Sequence, residues 1–128
     1  VNRLSRLLLD THVFLWWRAE PDRLVPEARR AIAEAEIVFV SVASAWEAAI
    51  KVSLGKLRLP EPFESGVVAS SFEKMPVTFA HAAQVAELPH HHRDPFDRML
   101  IAQASADDLT LVTHDRKFQD YEVEILWT

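Results

Sequence analysis

Arg6-Leu7-Leu8-Leu9-Asp10-Thr11-His12-Val13-Phe14-Leu15-Trp16-Trp17 decides how the rest of the chain is read. A short apolar run stops on an acid, and a hydroxyl residue and a second apolar run follow at once. Arg6–Leu9 reads as a buried strand. Thr11 to about Glu20 reads as a helix ended by Pro21. Working outward, the same alternation recurs. Pro26 suits the first position of a helix through Ala35, and the β-branched run Ile37–Ser41 is a second strand. Ser41 or Ser44 then caps a helix carrying Trp46, Glu47, Ile50 and Leu54 that stops near Gly55.

Lys56 to Glu64 holds two prolines and reads as loop. Phe63–Lys74 is expected to be helical, Pro76–Phe79 a short strand and Ala80–Leu88 a helix. After the polar link Pro89-His90-His91-His92-Arg93, Asp94-Pro95 opens a helix by the cap-plus-proline rule and runs to about Asp107. Leu109–Thr113 and Val123–Trp127 are the last strands, with a turn or short helix at Asp115–Gln119. Short strands, apolar on both faces and alternating with helices, predict a parallel sheet covered by helices on both sides.

Composition narrows the class. The 128 residues are enough for one domain and too few for two, so residues 1–128 are expected to form a single unit. With 49% hydrophobic and 26% charged residues the chain is ordinary for a globular protein. Two glycines argue against turn-rich sandwiches and against a glycine-rich phosphate loop. The absence of cysteine removes disulfides, thiol nucleophiles and cysteine-bound zinc, and allows a reducing cytoplasm. No apolar stretch approaches the roughly 20 residues needed to span a bilayer. The basic start Val1-Asn2-Arg3-Leu4-Ser5-Arg6 leads into an apolar run too short for a signal peptide, so a cytoplasmic location without membrane contact is expected. The net charge of −5 by itself opposes nucleic-acid binding. Setting Asp10, Glu47, Asp97 and Asp115 aside as metal-site candidates leaves 15 acids against 14 bases, and bound cations would attract phosphate.

Those four acids share a location. Ligands of open α/β sheets bind beyond the carboxyl ends of the strands, where strand order reverses. Asp10 directly follows the first strand, Glu47 lies in the first two turns after the second, Asp97 opens the helix that feeds the fourth, and Asp115 follows the fourth. Each has an ordinary explanation. Asp10 and Asp115 stand where helix caps belong. Glu47 could complete a capping box with Ser44 or pair with Lys51. Asp97 could oppose the dipole of the helix that Asp94 caps. None of these accounts for their convergence on one edge. Four clustered carboxylates repel unless a cation joins them, and a hard oxygen-seeking ion, magnesium or manganese, suits such a site and phosphoryl chemistry.

At these residues the chain resembles the PIN-domain nucleases, specifically the VapC-type toxins of VapBC toxin–antitoxin pairs. Leu8-Leu9-Asp10-Thr11-His12 with Leu15-Trp16 is similar to that branch's first acid motif. Ser41-Val42-Ala43-Ser44-Ala45-Trp46-Glu47, with Lys51 and Leu54-Gly55-Lys56-Leu57, is similar to the second. His92-Arg93-Asp94-Pro95-Phe96-Asp97-Arg98 with Leu100-Ile101-Ala102-Gln103-Ala104 is similar to the third, and Leu111-Val112-Thr113-His114-Asp115 with Phe118 to the fourth.

The resemblance implies a three-layer α/β/α PIN-like fold with a central five-stranded parallel sheet, and hydrolysis of RNA phosphodiesters at a magnesium or manganese site. Carried over, Asp10, Glu47, Asp97 and Asp115 are the catalytic and metal-binding acids. Thr11 and Thr113 are supporting hydroxyls that could orient water or a carboxylate, and Asp94 is mainly a cap. A VapB-type antitoxin and a homodimer are the implied partners. Lys51, Arg93, Arg98, Arg116 and Lys117 lie near the motifs and could meet the RNA backbone. The four tryptophans read as core or interface, His90–His92 as a polar loop, and His12 as a neighbour of the site without a catalytic role. Two alternatives stand beside the nuclease: a PIN-fold RNA- or protein-binding module without cleavage, and another magnesium-dependent phosphohydrolase. A dehalogenase-type phosphatase would want an acid at position 12, and a receiver domain an acidic pair before its aspartate. Neither pattern is present.

Overall fold

The computed structural model describes residues 4–128; the start of the basic N-terminal segment, Val1-Asn2-Arg3, lies outside the described residues. In chain order the elements are β1 (Arg6–Leu9), α1 (Thr11–Ala19), a 3-10 turn (Pro21–Arg23), α2 (Pro26–Glu34), β2 (Ile37–Ser41) and α3 (Val42–Ser53). There follow α4 (Phe63–Ala69), β3 (Glu73–Met75), α5 (Phe79–Ala86), α6 (Pro95–Ala106), β4 (Thr110–Thr113), a second 3-10 turn (Arg116–Asp120) and β5 (Ile125–Trp127). The five strands form one sheet in the order β3-β2-β1-β4-β5, every neighbouring pair parallel.

β1 is the centre of the sheet, which is why its residues must be apolar on both faces. Leu7 and Leu9 face one core, with Val13 and Phe14 of α1, Ala28 and Ile32 of α2, Val38, Val40 and Val112. Leu8 faces the other, with Leu100, Ile101 and Ala104 of α6, Leu111, Phe118 and Met75. All three leucines are fully buried, and each contributes about 2 kcal/mol by leaving water. The alternation of one strand thus builds a layer on each side of the sheet. Among the described residues no helix is long and apolar enough to cross a membrane.

Local signals end the elements where the sequence places them, with one exception. Ser41, not Ser44, caps α3 by accepting from the Ala43 amide at 3.0 Å. Gly55 ends that helix with φ +71 while Gly55 N–H donates to Val52 O and Lys56 N–H to Lys51 O, a Schellman closure. The exception is the stretch after Phe63. A helix through Lys74 and a strand at Pro76–Phe79 are not formed: α4 stops at Ala69, and the edge strand is Glu73–Met75, paired to Phe39, Val40 and Ser41. Ser71 takes a positive φ of 59 and turns the chain out of the helix. Pro76 has no N–H to give a ladder, and Thr78 starts α5 by accepting from the His81 amide while His81 Nδ1 accepts from the Thr78 amide.

Arg98 on α6 holds the segment between α5 and α6. Its guanidinium is buried and donates to the carbonyls of Pro89 at 2.8 Å and Val85 at 3.1 Å, with longer contacts to Leu88 O, His92 O and the Tyr121 hydroxyl. Arg98 is therefore not the RNA-backbone contact expected from its place in the third motif, because its donors are spent on the carbonyls at the C-terminal end of α5 and beyond. Arg98→Met should cost about 3 kcal/mol, since it orphans buried carbonyls that only a forked donor reaches together. Urea denaturation would show a lowered midpoint with an unchanged slope.

Candidate active site

The strand order turns around between β1 and β4, and an open α/β sheet leaves a crevice at such a point. β1 ends one residue before Asp10, whose amide donates to Val112 O at 2.9 Å and so ties it to the end of β4. Asp115 stands two residues past Thr113, the last residue of β4. β2 runs directly into α3, placing Glu47 in the second turn of that helix, and Pro95 opens α6 with Asp97 in its first turn.

The ordinary roles of these acids are real, and they coexist with convergence. Asp10 caps α1 by accepting from His12 N–H at 3.1 Å through Oδ1, while Oδ2 accepts the Thr113 hydroxyl at 2.6 Å. Thr113 Oγ1 in turn accepts the Asp115 amide at 3.0 Å, which leaves the hydroxyl proton for Asp10. Asp115 caps the second 3-10 turn through Lys117 N–H. Glu47 does not cap its helix. Its Oε1 takes the Thr11 hydroxyl at 2.7 Å and its Oε2 takes Lys51 Nζ at 2.9 Å. The two threonines therefore orient carboxylates. Asp94 caps α6 through the amides of Phe96 and Asp97, as its place before Pro95 predicts.

Electrostatics place the four acids in one field. Burial pushes the Asp97 carboxyl up to about 8, and the charges of Asp94, Asp10, Glu47 and Asp115 push in the same direction. Burial also raises Asp10, against the hydrogen bond from Thr113 that lowers it. The oxygen-rich donor set of Asp10, Glu47, Asp97 and Asp115 has the chemistry that suits a hard divalent ion.

One neighbour was not foreseen. His92, read as part of a polar loop, is largely buried, and its Nε2 comes within 2.7 Å of Asp97 Oδ2 without the alignment of a hydrogen bond. Its ligand atom and those of Asp97 and Asp115 lie within 4.8 Å of one another. Its Nδ1 accepts from the Asp94 amide at 3.4 Å. The available signal was its position two residues before the Asp94 cap. Of the bases near the motifs, Lys51 is bound to Glu47, Arg116 lies over the Trp127 ring at 4.4 Å, and Arg93, Arg116 and Lys117 are exposed.

The raised Asp97 carboxyl fixes a pH dependence. Between pH about 4 and about 8 the folded protein keeps a proton that the unfolded chain has released, so in chelator stability falls as pH rises through that window. Asp97→Asn should flatten the slope and raise the melting temperature near pH 8 by a few degrees. Thermal melts across this range in chelator check it; an equal slope in both proteins would contradict the assignment.

Comparison with known proteins identifies the family. The family model described as PIN domain matches residues 7–124. The chain is 33% identical over 121 residues to Ribonuclease VapC22 of Mycobacterium tuberculosis, covering 92% of this chain and 93% of that one. Among solved structures, the VapBC2 complex of Rickettsia felis bound to a promoter DNA fragment superposes with a TM-score of 0.70 at 17% identity, covering 94% of this chain and 96% of that chain. The VapBC-5 toxin–antitoxin structure of Mycobacterium tuberculosis does so with a TM-score of 0.63 at 22% identity, covering 97% and 99%. The last two likenesses speak to the three-layer fold, and the match along nearly the whole sequence speaks to descent: the chain belongs to the PIN-domain family.

Proposed function

We propose that this chain is a divalent-cation-dependent endoribonuclease, the toxin of a VapBC-type pair, and that Asp10, Glu47, Asp97 and Asp115 hold its magnesium or manganese. One arrangement supports the reading: the four acids stand on four different elements about the strand-order switch, Asp97 and Asp115 offer ligand atoms within 4.8 Å of each other, and Asp97 is raised to about 8 by burial first and then by neighbouring charges that include Asp10, Glu47 and Asp115. A relative named as a ribonuclease, 33% identical across 92% of this chain, supports RNA as the substrate. Structural neighbours solved as VapBC complexes support a VapB-type antitoxin as partner.

When bound, the ion supplies an activated water and neutralises charge growing on the scissile phosphate. The protein's own part is positional. Thr113 fixes Asp10 Oδ2, and Thr11 and Lys51 each fix one oxygen of Glu47. The rotamers of both carboxylates are thereby set before substrate arrives, and burial of Asp10 and Glu47 keeps bulk water from competing for their oxygens. His92 stands against Asp97, its Nε2 2.7 Å from Oδ2. Exposed Arg93, Arg116 and Lys117 take the flanking RNA phosphates, and Lys51 balances Glu47. Trp46, 63% exposed and edge-on to Phe96 at 5.0 Å, sits on an apolar face with Val42 and Val77 that suits a second copy of the chain in a homodimer.

Purified protein should cut cellular RNA into discrete fragments with magnesium or manganese and not with chelator, and Asp10→Asn should abolish the cutting. Thr113→Val, which removes only the support of Asp10, should lower the rate roughly 10- to 100-fold. Denaturing gels of the products read both. A folded, antitoxin-free protein that leaves RNA intact with either metal would favour a binding module instead.

A further inference from the structure

Beside the acids stands an aromatic group that metal-assisted hydrolysis does not use. His12 lies two residues after Asp10 and donates its amide to that carboxylate, and His114 directly precedes Asp115; both rings are exposed. They meet edge-on, 5.8 Å between centroids. Trp16, one turn along α1, packs 4.6 Å from His114 and 6.2 Å from His12. Arg23 covers the Trp16 ring with its guanidinium carbon 4.4 Å from the centroid. Trp16 is half-buried against the core, whereas neither imidazole is part of it and both stay exposed.

His12 and Trp16 also form one wall of a cleft shared with Arg23, Arg58 and Phe63. A further arginine in the cleft, Arg18, is held by Glu61 at 2.7 and 3.1 Å; Arg23, over Trp16, has the exposed Glu20 at 3.6 Å, and Arg58 is exposed. Aromatic faces interleaved with arginines, on a protein of net charge −5, suit an anionic ligand that carries flat rings. A phosphodiester held at Asp10 brings its flanking nucleoside to this wall.

We propose that His12, His114 and Trp16 form a nucleobase subsite: an unpaired base next to the scissile phosphate stacks on the exposed imidazoles, with Trp16 behind them and Arg23 and Arg58 toward the adjoining phosphate. The subsite rests on the nuclease reading for its substrate, and it makes the enzyme selective for single-stranded RNA at one position beside the cut.

The test uses short single-stranded RNAs carrying one abasic nucleotide at successive positions around the cleavage point, with the manganese-loaded protein. RNA binding is followed by fluorescence anisotropy and cleavage by steady-state kinetics. His114→Ala should weaken binding of intact RNA about 10-fold, with the loss falling on KM, and His114→Phe should restore it. One abasic position should cause the same loss in the unmodified protein and add nothing in His114→Ala. Thermal melts and manganese affinity report that fold and acids are intact. Equal losses for intact and abasic RNA in His114→Ala, or no loss at all, would overturn the subsite. Protein that binds with this base dependence but does not cut would keep the subsite and sink the nuclease reading.

Discussion

The structure depends on a repulsion that it does not itself relieve. Bringing Asp10, Glu47, Asp97 and Asp115 to one edge of a parallel sheet costs stability; the Asp97 carboxyl is raised by its burial most, and the charges of Asp94, Asp10, Glu47 and Asp115 add to the rise. The rest of the fold is arranged to withstand it. β1 is buried at the centre of the sheet and anchored on both faces by leucines, so the strand end that carries Asp10 cannot give way. Hydroxyls from Thr11 and Thr113 and the ammonium of Lys51 hold individual oxygens in place. A site built this way holds its carboxylates in place at a cost in folding stability.

The same residues serve capping and chemistry, and this explains how the site is assembled cheaply. Asp10 and Asp115 satisfy amides at the starts of helical segments while presenting carboxylates to the crevice. Asp94 takes the capping duty on α6, and this frees Asp97, three residues on, to face the cluster. Capping geometry fixes where a side chain can point. Helices that start at the carboxyl ends of strands therefore aim their first-turn acids at a common place.

Much of this was legible in the sequence, and where it was not the reasons are specific. Strands β1 and β4 are buried on both faces and β2 on one with the other half-buried, so their apolar runs are unambiguous. β3 is an edge strand of three residues, Glu73-Lys74-Met75, with only Met75 buried; a half-exposed edge needs no apolar run and leaves no periodic signal. The start of α5, expected at Ala80, lies one residue earlier at Phe79, behind a capping box that uses His81 where glutamate or glutamine is usual. Arg98 looked like a surface base because charge in a sequence does not reveal which carbonyls a side chain will meet.

By itself the sequence determined the alternation of strands and helices, the parallel sheet they imply, and the four acids that fall beyond strand ends. These follow from local periodicity and from the short list of residues able to cap a helix. Only the tertiary structure decided which groups surround those acids: Thr113 against Asp10 across 103 residues, Thr11 against Glu47 across 36, and His92 against Asp97. It also decided that His12, Trp16 and His114 share one wall, and that Arg98 turns inward. The physical reason is that burial and the carboxyl shifts it causes are set by everything packed around a group, most of it distant along the chain.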